Sequence, residues 1–250
     1  MLPLGGTARS AKGAFMSPRL LVLDTSTESL HLGVCDGERE WVRVVPGGAH
    51  ASAALLPALL ALLAEAGLAL RDLDAIAFGR GPGAFTGVRV ACAVTQGLAF
   101  GAGLAVLALD SLMAVAEDAR AQGAGERVWV AVDARMGEVY AARMERVDAA
   151  WRTLDAPALH SPVALARRIA DTASGDAVAG NSLLVHSAAW TGFDGGRWPA
   201  SAPRAAALLT LARTAWARGE RLDAAEALPL YVRDKVAATS AERAALRGAS

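Results

Sequence analysis

The hydrophobic positions of the chain change repeatedly between short apolar runs and helix-spaced stripes, which is typical of mixed α/β proteins. The first run, Leu20–Leu23, predicts a buried strand that ends in the polar residues 24–27. Alternating apolar positions over Leu30–Val34 and the apolar run Trp41–Val45 predict two further strands. Because short turns separate the three strands, we expect them to form an antiparallel meander.

Helices and strands alternate after this meander. The predicted elements that follow are helix Ser52–Ala66, strand Leu73–Gly79, helix Gly87–Phe100 capped by Thr86, strand Leu104–Leu109 and helix Ser111–Ala121. The second half predicts strands Arg127–Val132, Val139–Met144 and Val147–Thr153, helix Pro162–Ala173, strand Asp176–Ala179 and helix Arg204–Arg218. A meander followed by α/β units therefore occurs twice, which indicates two related lobes.

This repeat divides the chain into two lobes and two tails. We assign residues 18–108 to the first lobe, completed by about 222–236, and residues 109–221 to the second lobe. Residues 1–17 have too few large apolar side chains to offset the entropy cost of ordering them, so we expect a disordered N-terminal tail. Residues 237–250 should form a loose C-terminal tail.

The charges are balanced: 25 Lys and Arg against 25 Asp and Glu give a formal net charge of +0. Chains that bind RNA by global electrostatics carry a basic excess, so a stand-alone tRNA-binding module is the least favoured function. Two cysteines, Cys35 and Cys92, cannot build a disulfide framework or a cysteine-based zinc site. No apolar run approaches the about 20 residues of a membrane span, and the residues before Met16, a second candidate start, lack a signal-peptide core. We expect a cytoplasmic protein without membrane contact.

The chain lacks the residue patterns of several common catalytic sites. No two of His31, His50, His160 and His186 have the i, i+4 spacing of a helical metal-binding pair. Neither a G-x-S-x-G nucleophile elbow nor a G-x-x-x-x-G-K-[ST] phosphate loop is present. We therefore expect no metal site and no catalytic residue of these classes.

A glycine-rich string at residues 78–89, F-G-R-G-P-G-A-F-T-G-V-R, lies between a predicted strand and a predicted helix. Such a position can hold an anion at a helix N-terminus, with Gly81, Gly83 and Thr86 as the candidate residues. The alternative is a tight turn that lets the helix approach a sheet, with Gly87 as the close-contact residue.

Two polar turns lie at matching places in the two halves. The first carries Asp24, Thr25 and Ser26, and the second carries Asp133 and Arg135. Hydroxyl and backbone N–H groups in such turns can bind phosphate oxygens. The alternative is a pair of ordinary polar hairpins.

Two consecutive predicted helices in the first half are too apolar for a simple solvated face. The first has two adjacent leucine stripes, and the second has mostly small residues. The candidate partner-interface residues are Leu55, Leu56, Leu59, Leu60, Leu63, Arg89, Ala93 and Gln96. The alternative is that these helices are buried inside a larger fold.

Several motifs together resemble those of the bacterial TsaB (YeaZ) family. They are L-D-T-S-T at 23–27, His50 and Ser52 before L-L-P at 55–57, G-P-G-A-F-T-G-V-R at 81–89, V-D-A-R-M-G-E-V-Y at 132–140 and P-L-Y-V-R at 229–233. The resemblance extends from about Arg19 to Lys235 in the order of the family.

The resemblance implies the two-lobed fold of actin, Hsp70 and sugar kinases, with a five-stranded mixed sheet in each lobe. It implies a role in making N6-threonylcarbamoyladenosine at adenosine 37 of tRNA, as the non-catalytic scaffold that binds and activates TsaD. The implied partners are TsaD and the ATPase TsaE, with a homodimer when the chain is alone and tRNA contact only through the complex. No intrinsic cofactor is implied, and an adenine nucleotide is a candidate ligand only at the interface with TsaD.

Proteins of the wider fold hold ATP with two phosphate hairpins and a glycine-rich adenosine loop. Here only Gly180-Asn181 is available for that loop, and no glycine follows in Ser182–Leu184. An alternative function is a stand-alone small ATPase that uses Asp24 and Asp133 around magnesium. A glycoprotease-like metallopeptidase is less favoured, because the histidine pair is missing.

Overall fold

The structure is a computed structural model that describes residues 17–48, 51–172 and 175–233. The predicted C-terminal tail, most of the predicted N-terminal tail (1–16), the candidate start Met16 and His50 lie outside the described residues.

The chain forms two five-stranded mixed sheets that share one topology. The first sheet has the order β3-β2-β1-β4-β5 and the second has the order β8-β7-β6-β9-β10. The strands of the first sheet are β1 Arg19–Asp24, β2 Ser29–Asp36, β3 Arg39–Pro46, β4 Ala75–Gly79 and β5 Ala105–Leu109. Those of the second are β6 Arg127–Asp133, β7 Val139–Val147, β8 Ala150–His160, β9 Ala177–Ala179 and β10 Arg197–Trp198. In each sheet the first strand is antiparallel to the second and parallel to the fourth, so the predicted two-lobed α/β fold is confirmed.

The helices cover both faces of the first sheet and link it to the second. They are α1 Ala51–Glu65, α2 Phe85–Ala102, α3 Ser111–Ala121, α4 Pro162–Thr172, α5 Ser182–Val185 and α6 Ala205–Ala217. Short 3-10 turns occupy Leu70–Asp72, Ser187–Trp190 and Ala224–Glu226. Helices α1 and α2 pack on one face of the first sheet, and α6 packs on the other. Helix α3 lies between α6 and β6 of the second sheet.

The two lobes share a continuous core. Strand β1 is buried on both faces: Leu20 and Val22 face α3 and α6, whereas Leu21 and Leu23 face α1 and α2. Val130 of β6 belongs to the same cluster as Leu20 and Val22. A strand with two buried faces must be a continuous apolar run, which is why Leu20–Leu23 carries no alternation.

The last described segment returns to the first lobe before it reaches the second. Leu222 exchanges two backbone hydrogen bonds with Val106, and Ala224 and Ala227 are buried beside α2. Leu230 then donates its N–H to the Arg80 carbonyl at 2.7 Å. We call residues 230–233 the strap, because Arg233 at its end contacts the second lobe.

The sequence missed several local features. Helix α2 begins at Phe85 with Ala84 as its N-cap, so the prediction that Thr86 caps it is wrong. Strand β8 begins later and is longer than predicted, because Asp148 and Ala149 form a left-handed turn with φ of 49° and 63°. Helix α5 and strand β10 were not predicted.

Candidate functional sites: the interlobe cleft and the outward faces of α1 and α2

The glycine-rich string packs directly against the first polar turn. A Cβ added to Gly79 would lie 1.7 Å from Asp24 Oδ2, and one added to Gly87 would lie 1.9 Å from the Thr25 carbonyl oxygen. One added to Gly83 would lie 2.5 Å from Ser26. Three glycines spaced four residues apart therefore make room for three consecutive turn residues. This geometry supports the close-approach interpretation of the string.

Asp24 is fully enclosed at this junction. Its Oδ1 accepts hydrogen bonds from the backbone N–H and the hydroxyl of Ser26 at 2.7 and 2.6 Å, and its Oδ2 accepts from the Ser111 hydroxyl at 2.5 Å. Burial raises the pKa of the Asp24 carboxyl. Thr25 is 1% exposed and donates its hydroxyl to the Gly87 carbonyl at 2.6 Å. The side chains of Asp24 and Thr25 are therefore not available to phosphate, because neither reaches solvent. Phosphate binding by the backbone N–H groups of this turn stays a prediction.

The other predicted phosphate-binding residues divide into two groups. Ser26, Gly83, Asp133 and Arg135 line the cleft between the lobes. Gly81 is buried away from the cleft lining, and Thr86 is exposed in the first turn of α2 outside it.

The cleft has a volume of about 410 Å³ and lies between the polar turns of the two lobes. The start of α2 and the strap complete its walls. Half of the lining residues are apolar: Pro82, Ala84, Phe85, Val88, Val132, Ala134, Met136, Val185, Leu230 and Val232. The cleft is therefore a concavity that combines apolar surface with polar groups, as ligand sites commonly do.

The cations of the cleft are already paired. Arg135 Nη2 lies 2.5 Å from Glu28 Oε1, and Arg233 Nη2 lies 2.8 Å from Glu138 Oε2. Asp133 Oδ1 lies 2.9 Å from His186 Nε2 and accepts the Arg135 N–H at 3.2 Å.

ATP with magnesium, which the wider fold implies, does not fit these residues. The enclosed Asp24 cannot bind a metal in the cleft, and the hydroxyls of Thr25 and Ser26 already donate to the Gly87 carbonyl and to Asp24. Within residues 17–48, 51–172 and 175–233, no three His, Cys, Asp or Glu side chains lie close enough together to hold a metal.

An aromatic cluster lies at the rim of the cleft. The Arg89 guanidinium stacks 3.9 Å from the centre of the Phe85 ring, and Arg89 Nε donates to the Tyr231 hydroxyl at 2.8 Å. Both aromatic residues belong to motifs described in the sequence analysis. Phe85 and Tyr231 are 146 positions apart in the chain, but their rings are in contact. The sequence alone gave no indication of this contact.

The predicted interface leucines lie on two different faces of α1. Leu55, Leu59 and Leu63 are 0%, 0% and 3% exposed in the core of the first lobe, so the expectation that they contact a partner is wrong. Leu56 and Leu60 are 40% and 51% exposed and point away from the sheet.

Helix α2 lies beside α1 and also presents small and apolar residues to solvent. Arg89 and Ala93 are exposed, and Gln96 is half-buried because its side chain donates to the Ala227 carbonyl at 2.9 Å. Phe100, which the sequence reasoning missed, is 83% exposed. Its spacing of seven residues from Ala93 places it on the same stripe and was the available signal. We call the outward residues Leu56, Leu60, Ala93, Gly97 and Phe100 the α1–α2 surface.

Comparison with known proteins supplies the family context of these sites. The family model described as TsaD: tRNA N6-adenosine threonylcarbamoyltransferase matches residues 44–185. The tRNA threonylcarbamoyladenosine biosynthesis protein TsaB of Haemophilus influenzae is 34% identical over 87% of this chain and 94% of its own length. The TsaB of Escherichia coli is 30% identical over 88% and 96%. The solved structure of YeaZ from Pseudomonas aeruginosa is 40% identical, covers 86% of this chain and 99% of its own, and superimposes with a TM-score of 0.77. No helix in the described part of the chain is long and apolar enough to cross a membrane.

Proposed function

The chain belongs to the TsaB family of tRNA threonylcarbamoyladenosine biosynthesis proteins, and we propose that it serves this pathway as a non-catalytic scaffold that binds and activates TsaD. The docking site is the α1–α2 surface. The observation that carries the proposal is the uncharged outward face of α1 beside the exposed Phe100.

The composition of this face favours a protein partner. From Ser52 to Ala64, no exposed position of α1 carries a charge, and the first charged residue, Glu65, pairs with Arg43. Solvated helix faces normally carry charged side chains. Leu56, Leu60 and Phe100 expose apolar area that would be buried at an interface, at about 25 cal/mol per Å². Small residues such as Gly97 between them allow close approach of a second helix.

The enclosed Asp24 supports a non-catalytic role. An ATPase of this fold needs a carboxylate that reaches a cleft-bound metal, whereas Asp24 is fully buried and accepts three hydrogen bonds from Ser26 and Ser111. We therefore propose that TsaD carries out the catalysis and that this chain has no cofactor of its own.

The proposal also covers self-association of the chain and its contact with tRNA. Without TsaD, the α1–α2 surface pairs with a second copy of itself as a symmetric homodimer. The formal net charge of +0 favours tRNA contact only through the complex. The resemblance to the TsaB family adds TsaE as a further partner and the cytoplasm as the location. Any adenine nucleotide would bind at the interface with TsaD.

Leu60→Glu and Phe100→Glu test the docking site. Both residues are exposed, so the variants should fold, and a buried charge without a partner should reduce co-elution with TsaD by about tenfold or more. Val163→Glu on α4, where the valine is 50% exposed, is the matched control and should co-elute normally. Threonylcarbamoyladenosine formed in a reconstituted reaction with TsaD, TsaE, tRNA and threonylcarbamoyl-adenylate as the donor should fall in parallel. Normal co-elution of both interface variants would refute the proposed surface.

A further inference from the structure

The interlobe cleft is lined by a buried tyrosine whose hydroxyl has no partner in the described part of the chain. Tyr140 is 8% exposed, its ring belongs to the core shared by the lobes, and its side chain lines the cleft. No described residue forms a hydrogen bond with the hydroxyl, and the oxygen is not sealed from solvent. Buried tyrosine hydroxyls normally find a partner. The unused group therefore faces the space that a ligand would fill.

A second polar group beside the cleft is fixed in orientation and only partly used. Asn181 Oδ1 accepts the backbone N–H of Asp133 at 2.8 Å. Its amide N–H₂ has no partner among the described residues, although Asn181 lines the cleft. Tyr140 and the exposed Asn181 together give the second-lobe side of the cleft two hydrogen-bond donors that have no partner among the described residues.

The cleft also presents exposed large apolar side chains from the first lobe, the strap and the second lobe. Phe85 and Tyr231 are 37% and 49% exposed, and Val185 and Met136 are 56% and 74% exposed. Aromatic and thioether groups of this kind favour a flat ring.

The charges of the cleft disfavour an anionic ligand. Arg135 and Arg233 are each paired with a glutamate, and the Asp133 carboxylate faces the same space. A phosphate group would have to break these pairs and would lie close to negative charge.

We propose that the cleft is a binding site for a small uncharged ring compound, whose ring lies against Phe85 and Tyr231 and whose carbonyl-type acceptor receives hydrogen bonds from Tyr140 and Asn181. The volume of about 410 Å³ is within the range of small-molecule sites. The site is separate from the α1–α2 surface, so its ligand binds without TsaD.

N-acetyl-tryptophanamide is a suitable probe, because it is neutral and combines a flat ring with amide carbonyl acceptors. Saturation-transfer NMR on the full chain, without partners, should show transfer to this probe and none to ATP with magnesium. Tyr140→Phe keeps the ring in the core and removes only the hydroxyl, so the dissociation constant should rise about three- to tenfold.

Two further variants localise the binding. Val185→Arg places a bulky charge at an exposed wall position and should abolish transfer, whereas Val163→Arg, at a similarly exposed position on α4, should leave it unchanged. Absence of transfer to the probe, or transfer that survives Val185→Arg, would overturn the site. An unchanged dissociation constant in Tyr140→Phe would overturn the assigned polar end. Neither result bears on TsaD binding, which the assay does not contain.

Discussion

Replacing Gly87 by alanine tests whether the glycine-rich string is a packing junction. The added Cβ would lie 1.9 Å from the carbonyl oxygen of Thr25 and 3.0 Å from its carbon, and both atoms are backbone. No side-chain rotation can relieve this overlap. Helix α2 or the β1–β2 turn would have to move by more than 1 Å, which is about the shortfall from a normal contact of roughly 3.2 Å.

The energetic cost can be worked from the contacts that such a shift would disturb. Overpacking of a rigid site costs about 1–3 kcal/mol, and loss of the hydrogen bond from the Thr25 hydroxyl to the Gly87 carbonyl adds about 1 kcal/mol. The higher helix propensity of alanine relative to glycine offsets at most about 1 kcal/mol of this cost. We therefore expect Gly87→Ala to lower the free energy of unfolding by about 2 kcal/mol.

Gly97→Ala is the matched control in the same helix. A Cβ at Gly97 meets nothing within 4 Å, so this variant should be about 0.5–1 kcal/mol more stable than the natural chain. Urea unfolding followed by circular dichroism, at two protein concentrations to separate self-association, measures both variants. Equal stability of the two variants would refute the junction, because an anion cradle would leave room for a methyl group at Gly87.

The remaining predictions concern two buried polar residues. His31 is 6% exposed, and burial followed by the charge of Arg204 lowers its pKa from 6.5 to about 4. Because His31 binds a proton more readily in the unfolded chain, the free energy of unfolding should fall as the pH drops from 6.5 to about 4. The total loss should be about 3 kcal/mol. His31→Gln should flatten that part of the profile of stability against pH. Asp24→Ala leaves three buried donors without an acceptor and should lower the unfolding free energy by about 3 kcal/mol or more in chemical denaturation without nucleotide. An Asp24→Ala protein of natural stability that had lost only ATP turnover would instead support the ATPase alternative.

The regular elements were predictable where a period extended over enough residues. The meander, the helices from Ser111 and Pro162, and the repeat of the whole order follow from apolar spacing alone. Helix α5 has four residues and β10 has two, which is too short to carry a period. The left-handed turn at Asp148 and Ala149 could not be predicted from the sequence, because neither residue is a glycine although both have positive φ.

The candidate sites were less predictable, because they depend on which face of an element meets the core. Both leucine stripes of α1 are apolar, and only the position of α1 on the first sheet shows that Leu55 and Leu59 are inside while Leu56 and Leu60 are outside. Nothing local to the sequence distinguishes these stripes. Tyr140 belongs to a motif described in the sequence analysis. Its proposed role as a hydrogen-bond donor depends on a cleft formed by residues from both lobes and the strap.

The enclosed Asp24 and the paired arginines of the cleft both support the proposed scaffold role. The hydrogen bonds of Asp24 and the close contacts of three glycines with the first turn make that turn a rigid support for the start of α2. The same helix carries Arg89, which holds the strap through Tyr231, and Phe100, which belongs to the α1–α2 surface. Helix α2 contacts the first turn, lines the cleft and forms part of the α1–α2 surface. Because its N-terminal end is held in place, the position of the α1–α2 surface relative to the cleft is also held in place. A turn that had to open for phosphate would make that surface move, so the close approach at Gly79, Gly83 and Gly87 favours a constant docking surface over nucleotide turnover.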